Sequence, residues 1–581
     1  MRRLLENGAN TSFINRLADE QIPIDKIIAD PVARIAKLAD KPHPHIPAPK
    51  NIFGGERKNS SGMDLSNMRT LQTLKNAIAE QVAKQPWVAC PIVAGKEIKS
   101  GLAQQVVSPS NMNDRIGTVY EATLEDTERA LTSAFAANNK WAQTSVEQRA
   151  ACLERAADLL EENMPAFMAV ACYEGGKCIP DCVSEIREAI DFCRYYAARA
   201  RLDLAPQQLI GPTGESNQLA LHPRGVMVCI SPWNFPLAIF MGQIVAALAA
   251  GNTVIAKPAE QTPLMATETI HLLHAAGIPK DVLHLLPGRG EVIGAKLVAD
   301  ERVAGVMFTG STETAKAIQK TLTNRPGPIV PLIAETGGQN AMIVDSSALP
   351  EQVVADVVQS AFNSAGQRCS ALRVLFVQDD IAPKVLAMLQ GAMAEITVGD
   401  PALLSTDVGP VIDKDALTML QKHFVNMRSE AQLLYQVPTR HLPDGYYFAP
   451  CAFELKNLAI LKREVFGPVL HVIRYAAKDL DTVLQSIIDT GYGLTLGVHS
   501  RIDATVEYIK NRMPVGNVYI NRNIIGAVVG VQPFGGEGLS GTGPKAGGPH
   551  YLPRLCVERA VSINTTAAGG NTTLVSLSEE E

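Results

Sequence analysis

The stretch GVMVCISPWNFPLAIFMGQIVAALAAGNTVIAKPAEQTP (225–263) decides the fold. It opens on a short apolar run, VMVCIS (226–231), which reads as a buried strand. An uncharged helical segment follows near 237–250 and is closed by Gly251, and VIAKP (254–258) is a second strand. The rhythm continues with a helix over 262–277, the strand VLHLLPG (282–288), a helix at 290–299, the strand GVMFTG (305–310) and a helix from Glu313. Apolar runs without polar alternation, separated by helices, are the pattern of a parallel sheet covered on both faces. The expected architecture is α/β, a doubly wound parallel sheet of the nucleotide-binding kind.

Toward the C-terminus a second alternating block runs from about 336 to 525, with strands MIVD (342–345), VLFV (374–377) and NVYIN (517–521), and predicts a second α/β domain. Toward the N-terminus the pattern predicts short strands around 88–94 and 115–121. Long amphipathic helices are expected near 125–139, 146–172 and 181–201. A further helical segment covers about 66–84, and PHPHIPAPKNIFGGERKNSSG (42–62) reads as a linker. The end, 562–581, is either a pairing strand or disordered.

The chain of 581 residues, 46% hydrophobic and 19% charged, can bury large cores. Its net charge of -6 comes without a basic stripe, so nucleic acid is not an expected partner. The uncharged run 237–256 approaches a membrane span in length, but Gln243, Asn252 and its glycines make it a core helix feeding a strand. Glu6, Asn7 and Asn10 interrupt any apolar signal-peptide core, and a cytoplasmic location is expected. Ten cysteines include no C-x-x-C pair; the ordinary reading of each is a small buried hydrophobe in a reducing compartment, and no metal site is expected.

Single glycine motifs are weak signals. PGRGEVIG (287–294) has G-x-G spacing, but its third glycine comes one residue late for the dinucleotide fingerprint, and a turn is the better reading. FTGSTETA (308–315) ends a strand and opens a helix, where free N–H groups and the helix dipole favour a phosphate.

Taken in order, SPWNFP (231–236), VIAKPAEQTP (254–263), FTGSTE (308–313), ETGGQN (335–340), GQRCSA (366–371), EVFGPV (464–469) and PFGGEGLSG (533–541) resemble the motif series of the aldehyde dehydrogenase superfamily over roughly 85–560. The resemblance implies that Cys369 is the nucleophile, forming a thiohemiacetal and then a thioester. Asn234, with the Cys369 backbone N–H, would hold the oxyanion, and Glu335 would activate the hydrolytic water. Lys257 and Glu260 would bind the adenosine ribose, Gly310 and Ser311 the pyrophosphate, Glu464 and Phe466 the nicotinamide ribose, with Trp233 shaping the crevice. A carboxylate at Glu260 would repel a 2′-phosphate, favouring NAD over NADP. Ala315 departs from the glycine many members carry.

The segment 516–555 is similar to L-glutamate γ-semialdehyde (pyrroline-5-carboxylate) dehydrogenases. That resemblance implies that Ser370 and the N–H groups of Gly526 and Ala527 hold the substrate α-carboxylate, with Phe235 and Phe534 flanking its aliphatic part. RRLLENGANTSFINRL (2–17) looks like the last substrate-contacting helix of a proline dehydrogenase domain of the bifunctional proline utilization A family, Arg2 and Arg3 matching its carboxylate-binding pair. The rest of that flavin domain is not present, so a truncated or split form without flavin binding is expected.

The resulting division is a helical remnant at 1–41, a linker at 42–64, an NAD-binding domain at 65–204 and 224–335, and a catalytic domain at 336–544. An oligomerisation arm is expected at 205–223 and 545–570, implying a dimer or larger homo-oligomer, with a tail at 571–581. A separate proline dehydrogenase partner is left open. Alternatives are oxidation of another semialdehyde such as succinate semialdehyde, a cofactor-free thiol hydrolase, or an inactive remnant.

Overall fold

The structure, a computed structural model, describes residues 13–38, 46–439 and 441–568. The chain divides at Asn59/Ser60 into a small unit and a large one. The described part of the small unit holds three short α-helices, Phe13–Ala18, Ile24–Ile27 and Pro31–Ala36, and a 3₁₀ turn at Pro49–Asn51. Asp30 caps the third by accepting the Val32 N–H at 2.9 Å. Arg2, Arg3 and the tail after 568 lie outside the described residues.

In chain order the strands that organise the large unit begin with β1 (Ile92–Val93), β2 (Lys96–Glu97), β3 (Glu215–Pro223) and β4 (Val226–Ile230). Next come β5 (Thr253–Lys257), β6 (Leu283–Leu285), β7 (Val303–Thr309) and β8 (Leu332–Glu335). The second half supplies β9 (Ala341–Val344), β10 (Val374–Gln378), β11 (Gln432–Gln436), β12 (Cys451–Glu454) and β13 (Val469–Tyr475), then β14 (Thr495–His499), β15 (Asn517–Ile520) and β16 (Cys556–Asn564). Four helices matter below: α1 (Ile179–Asp203), α2 (Ala238–Ala249), α3 (Thr312–Asn324) and α4 (Pro350–Phe362).

The first sheet has the order β8-β7-β4-β5-β6-β1-β2, parallel from β8 to β6 and antiparallel at β1 and β2. β4 comes first among its parallel strands, and the chain then builds outward to β5 and β6 before crossing back to β7 and β8. Order reversal between β4 and β7 leaves a crevice at their carboxyl ends, where open α/β sheets bind ligands. Ile230 pairs with Phe308 at that edge, so SPWN (231–234) and TGST (309–312) face each other. The second sheet, β11-β12-β13-β10-β9-β14-β15, is parallel apart from β11.

The apolar run at 237–256 is the core helix and strand expected of it. All but one residue of α2 are buried, and its one polar side chain is satisfied: Gln243 accepts from Ser231 Oγ at 3.0 Å and donates to Thr309 Oγ1 at 3.0 Å. Its Phe240, Met241, Ile244 and Leu248 are almost fully enclosed, each burial contributing about 1.5–3 kcal/mol. No helix among the described residues is long and apolar enough to cross a membrane.

Some expectations change in detail. The helix expected over 146–172 is two, Val146–Glu162 and Met164–Gly175, because Pro165 in the first turn of the second has no N–H to continue the first. The segment 290–299 starts as a π-turn, Gly290–Gly294, before one α-turn. A strand at Ala103–Ser108 that alternation did not mark pairs with Asn111–Tyr120. Ser60 is buried and held by Asp191, its N–H at 3.0 Å and its Oγ at 2.8 Å, so the larger unit begins inside the stretch read as linker. β16 pairs along its length with β3, which also carries Gln207–Leu209.

Candidate active site

The loop that carries Cys369 is built under strain and held from behind. α4 ends at Phe362, and Ser364, Ala365 and Gly366 follow with φ of 53°, 53° and 64°. Left-handed backbone at two non-glycine residues costs roughly 1–2 kcal/mol each. Asp181 of α1 offsets that strain: its carboxylate accepts from Asn363 Nδ2 and Ser364 Oγ at 2.9 Å each and pairs with Arg368 at 3.1 Å. Gly366 cannot be replaced, because a Cβ there would lie 2.3 Å from the Gly467 carbonyl oxygen.

Beyond the turn, the loop carbonyls are gripped on one side. Arg373, fully buried, donates to the carbonyls of Gly366 at 2.7 Å and Arg368 at 2.9 Å and pairs with Glu464 at 3.0 Å. Asn340 Nδ2 donates to the carbonyls of Cys369 at 2.6 Å and Ala371 at 2.9 Å. The Ser370 N–H, across its peptide from the Cys369 carbonyl, donates to the Cys369 sulfur.

Cys369 sits in the wall shared by two cavities. One, of about 370 Å³, is lined by Trp233, Asn234, Gly310, Ser311, Glu464 and Phe466. The other, of about 140 Å³, is lined by Glu335, Ser370, Gly526, Ala527, Phe235 and Phe534. Trp233, Gly310, Ser311, Glu464 and Phe466 thus line one cavity and the residues expected at the substrate line another, and the two meet at one thiol. Lys257 and Glu260 stand outside both linings, joined to each other at 2.6 Å, with the Gly290 N–H donating to Glu260 at 2.7 Å. PGRGEVIG is accordingly a turn here, one of its N–H groups spent on a carboxylate.

The larger cavity carries groups suited to the pyrophosphate and nicotinamide end of a dinucleotide. Ser311 caps α3 with its hydroxyl oxygen accepting from the Thr314 N–H at 3.1 Å, at the carboxyl end of β7. Trp233 and Phe466 meet edge to face at 5.6 Å between ring centroids. Ala315 is buried below the helix N-terminus, its methyl adding no exposed bulk. Glu464 approaches the Gly337–Gly338 turn so closely that a Cβ at 337 would lie 1.7 Å from its Oε2.

Charge in the site is poised for proton transfer. Burial pushes the Cys369 thiol up to about 12; the Glu464 and Glu335 carboxylates add to this, while Arg373 and the Ser370 N–H oppose it. Burial raises Glu335 to about 8, against the Gly536 N–H and the charge of Lys545. Its Oε2 accepts the Gly536 N–H at 3.3 Å, and Oε1 is buried with no partner among the described residues. Asn234 Nδ2 donates to the Gln367 carbonyl at 3.0 Å, beside the nucleophile loop.

Motif reading passed over several residues. Lys177 donates to the Asn234 carbonyl at 2.7 Å and pairs at 2.6 Å with Glu185, whose other oxygen accepts the Leu237 and Ala238 N–H groups; together they fix the PWNFP turn. Glu188 lines the smaller cavity and is raised to about 7 by burial and by Glu185. A signal for these existed: Asp181, Glu185 and Glu188 are spaced four and three apart, one acidic face on a helix that is otherwise mostly buried.

The chain belongs to the aldehyde dehydrogenase family, whose model matches residues 98–561. It is 51% identical over 574 residues to the bifunctional protein PutA of Klebsiella aerogenes, covering 96% of this chain and 43% of that protein. It is 37% identical over 499 residues to the 1-pyrroline-5-carboxylate dehydrogenase of Geobacillus thermodenitrificans, covering 84% of this chain and 95% of that one. The structure of 1-pyrroline-5-carboxylate dehydrogenase from Thermus with bound NAD superposes with a TM-score of 0.84 at 33% identity, covering 87% of this chain and 99% of that one. The chain therefore spans less than half the length of the bifunctional relative.

Proposed function

We propose that this chain oxidises L-glutamate γ-semialdehyde, formed from pyrroline-5-carboxylate, to L-glutamate with NAD. The observation that carries the reading is the position of Cys369 between two cavities of different character. NAD, when bound, supplies the two-electron acceptor. Lys257 and Glu260 would take its adenosine ribose, Gly310 and Ser311 its pyrophosphate, and Glu464 and Phe466 its nicotinamide ribose, with Trp233 shaping the crevice wall. With its S–H proton released to solvent through the Glu335 carboxylate, Cys369 forms the C–S bond to the aldehyde carbon, and the Asn234 amide and the Cys369 N–H stabilise the alkoxide. After oxidation Glu335 takes a proton from the water that cleaves the thioester, and Cys369 leaves as thiol.

Size and polarity support the substrate. A cavity of about 140 Å³ suits a five-carbon chain. Ser370 and the N–H groups of Gly526 and Ala527 would receive the α-carboxylate, and the rings of Phe235 and Phe534 the methylenes. Glu188, besides Glu335 the one acidic side chain lining that cavity among the described residues, would pair with the α-ammonium. We place the reaction in the cytoplasm, in keeping with ten free cysteines, nearly all buried. The sheet of β3, β16 and Gln207–Leu209 exposes Val557, Val561 and Ile563 on one face, an apolar row suited to pairing between copies.

Purified protein should reduce NAD with the semialdehyde, and Cys369→Ala should abolish this. A higher kcat/KM for succinate semialdehyde would reassign the substrate, and a folded but inert wild type would mean an inactive remnant.

A further inference from the structure

Lys545 occupies an unusual position. Its ammonium donates to the carbonyls of Gly516 at 2.5 Å and Gly535 at 2.7 Å and to Asn517 Oδ1 at 2.9 Å. All three acceptors are uncharged, and no carboxylate lies within ion-pair distance of it among the described residues. Asn517 tightens the same knot, accepting from the Gly535 N–H at 3.3 Å and donating to the Pro533 carbonyl at 3.0 Å. Strand β15 is thereby tied to the turn 533–536. Approach is so close that a Cβ on Gly516 would lie 1.9 Å from the Gly535 oxygen.

That turn is the floor beneath the Glu335 carboxyl. The Gly536 N–H donates to Oε2, and a Cβ on Gly535 would lie 2.6 Å from Oε1. We propose that Lys545 is a positioning residue for Glu335, stapling the Gly535–Gly536 turn against the carboxyl and setting an unneutralised positive charge beside it. The inference rests on the reading of Glu335 as the base for thioester hydrolysis.

The charge favours the ionised carboxylate against burial, which alone would leave the base protonated over more of the working pH range. The other titratable groups felt at this carboxyl are Cys369 and Tyr551, while Glu537 faces Lys545. Neither Cys369 nor Tyr551 is cationic, so Lys545 is the positive charge available to Glu335 among the described residues.

The test is the pH dependence of thioester hydrolysis, read as steady-state turnover after a burst of NADH over a range of about pH 6 to 10. Lys545→Gln, which keeps two of the three N–H donors and removes the charge, should move the acidic limb upward by about one pH unit. Turnover below the limb should fall about tenfold. Lys545→Arg, which keeps the charge, should leave the limb near its wild-type position even if turnover drops. A Lys545→Gln limb at the wild-type pH, or a Lys545→Arg limb displaced upward, overturns the proposal; if Lys545→Gln does not fold, Lys545→Arg decides alone. Glu335→Gln should abolish the limb, and a limb that survives it refutes Glu335 as the base whatever Lys545 does.

Discussion

The Asn340 amide nitrogen lies 2.6 Å from the Cys369 carbonyl oxygen, and its Oδ1 accepts the Thr495 N–H at 3.1 Å. One side chain between β8 and β9 thus ties the nucleophile loop to strand β14 of the second sheet. Asn340→Ala leaves the Cys369 and Ala371 carbonyls unpaired in the interior, a cost of about 1–3 kcal/mol each at most. A lower melting temperature and a kcat reduced about tenfold or more, with KM for NAD little changed, is the expected result.

Burial holds the Cys369 thiol protonated in the resting protein, up to about 12. Alkylation by iodoacetamide, corrected for the other cysteines with Cys369→Ala, should therefore rise about tenfold per pH unit through neutral pH. A plateau near pH 8 would contradict the raised thiol.

Glu335 is raised by burial from 4.5 to about 8 in the folded state. The folded protein then binds the proton more tightly than the unfolded one, so this group's contribution is fully present below about pH 4.5 and is lost as pH rises through about 8. Glu335→Gln should remove that dependence. The denaturant midpoint of the variant, relative to wild type, is expected to climb between those two pH values.

Glu260 is exposed at the end of the loop after β5, its charge shared with Lys257 and the Gly290 N–H. Glu260→Ser removes the carboxylate that would meet a 2′-phosphate. The ratio of kcat/KM for NADP to that for NAD should increase about tenfold or more, mainly through KM for NADP.

Ser370→Ala and Glu188→Gln test the contacts proposed for the far end of the substrate. Each should raise KM for the semialdehyde by about tenfold, a loss near 1.4 kcal/mol, while a short aldehyde without ammonium or carboxylate is oxidised as by wild type. Equal losses on both aldehydes would place these side chains outside substrate recognition.

Much of this was legible in the residues. The apolar runs of β4, β5, β7, β9 and β10 announce buried parallel strands, since a strand enclosed on both faces needs no polar alternation. The motif residues Trp233, Gly310, Ser311, Glu464 and Phe466 do converge, as do Phe235, Ser370, Gly526, Ala527 and Phe534. The late third glycine of PGRGEVIG also spoke against a phosphate loop, and one N–H group of that segment is committed to Glu260.

By itself, then, the sequence determined the α/β class and the strand–helix alternation, because these depend on period and residue type within short windows; the reactive residues it indicated only through the family resemblance. Only the tertiary structure decided that Cys369 stands between two cavities and that Asn340, Arg373 and Asp181 grip its loop from outside. The same holds for Lys545, whose charge acts on the Glu335 carboxyl 210 positions earlier in the chain (545 − 335). The physical reason is that burial, hydrogen bonding and charge act through space. Which buried polar groups share a site depends on how the two sheets are packed, a relation no local pattern encodes.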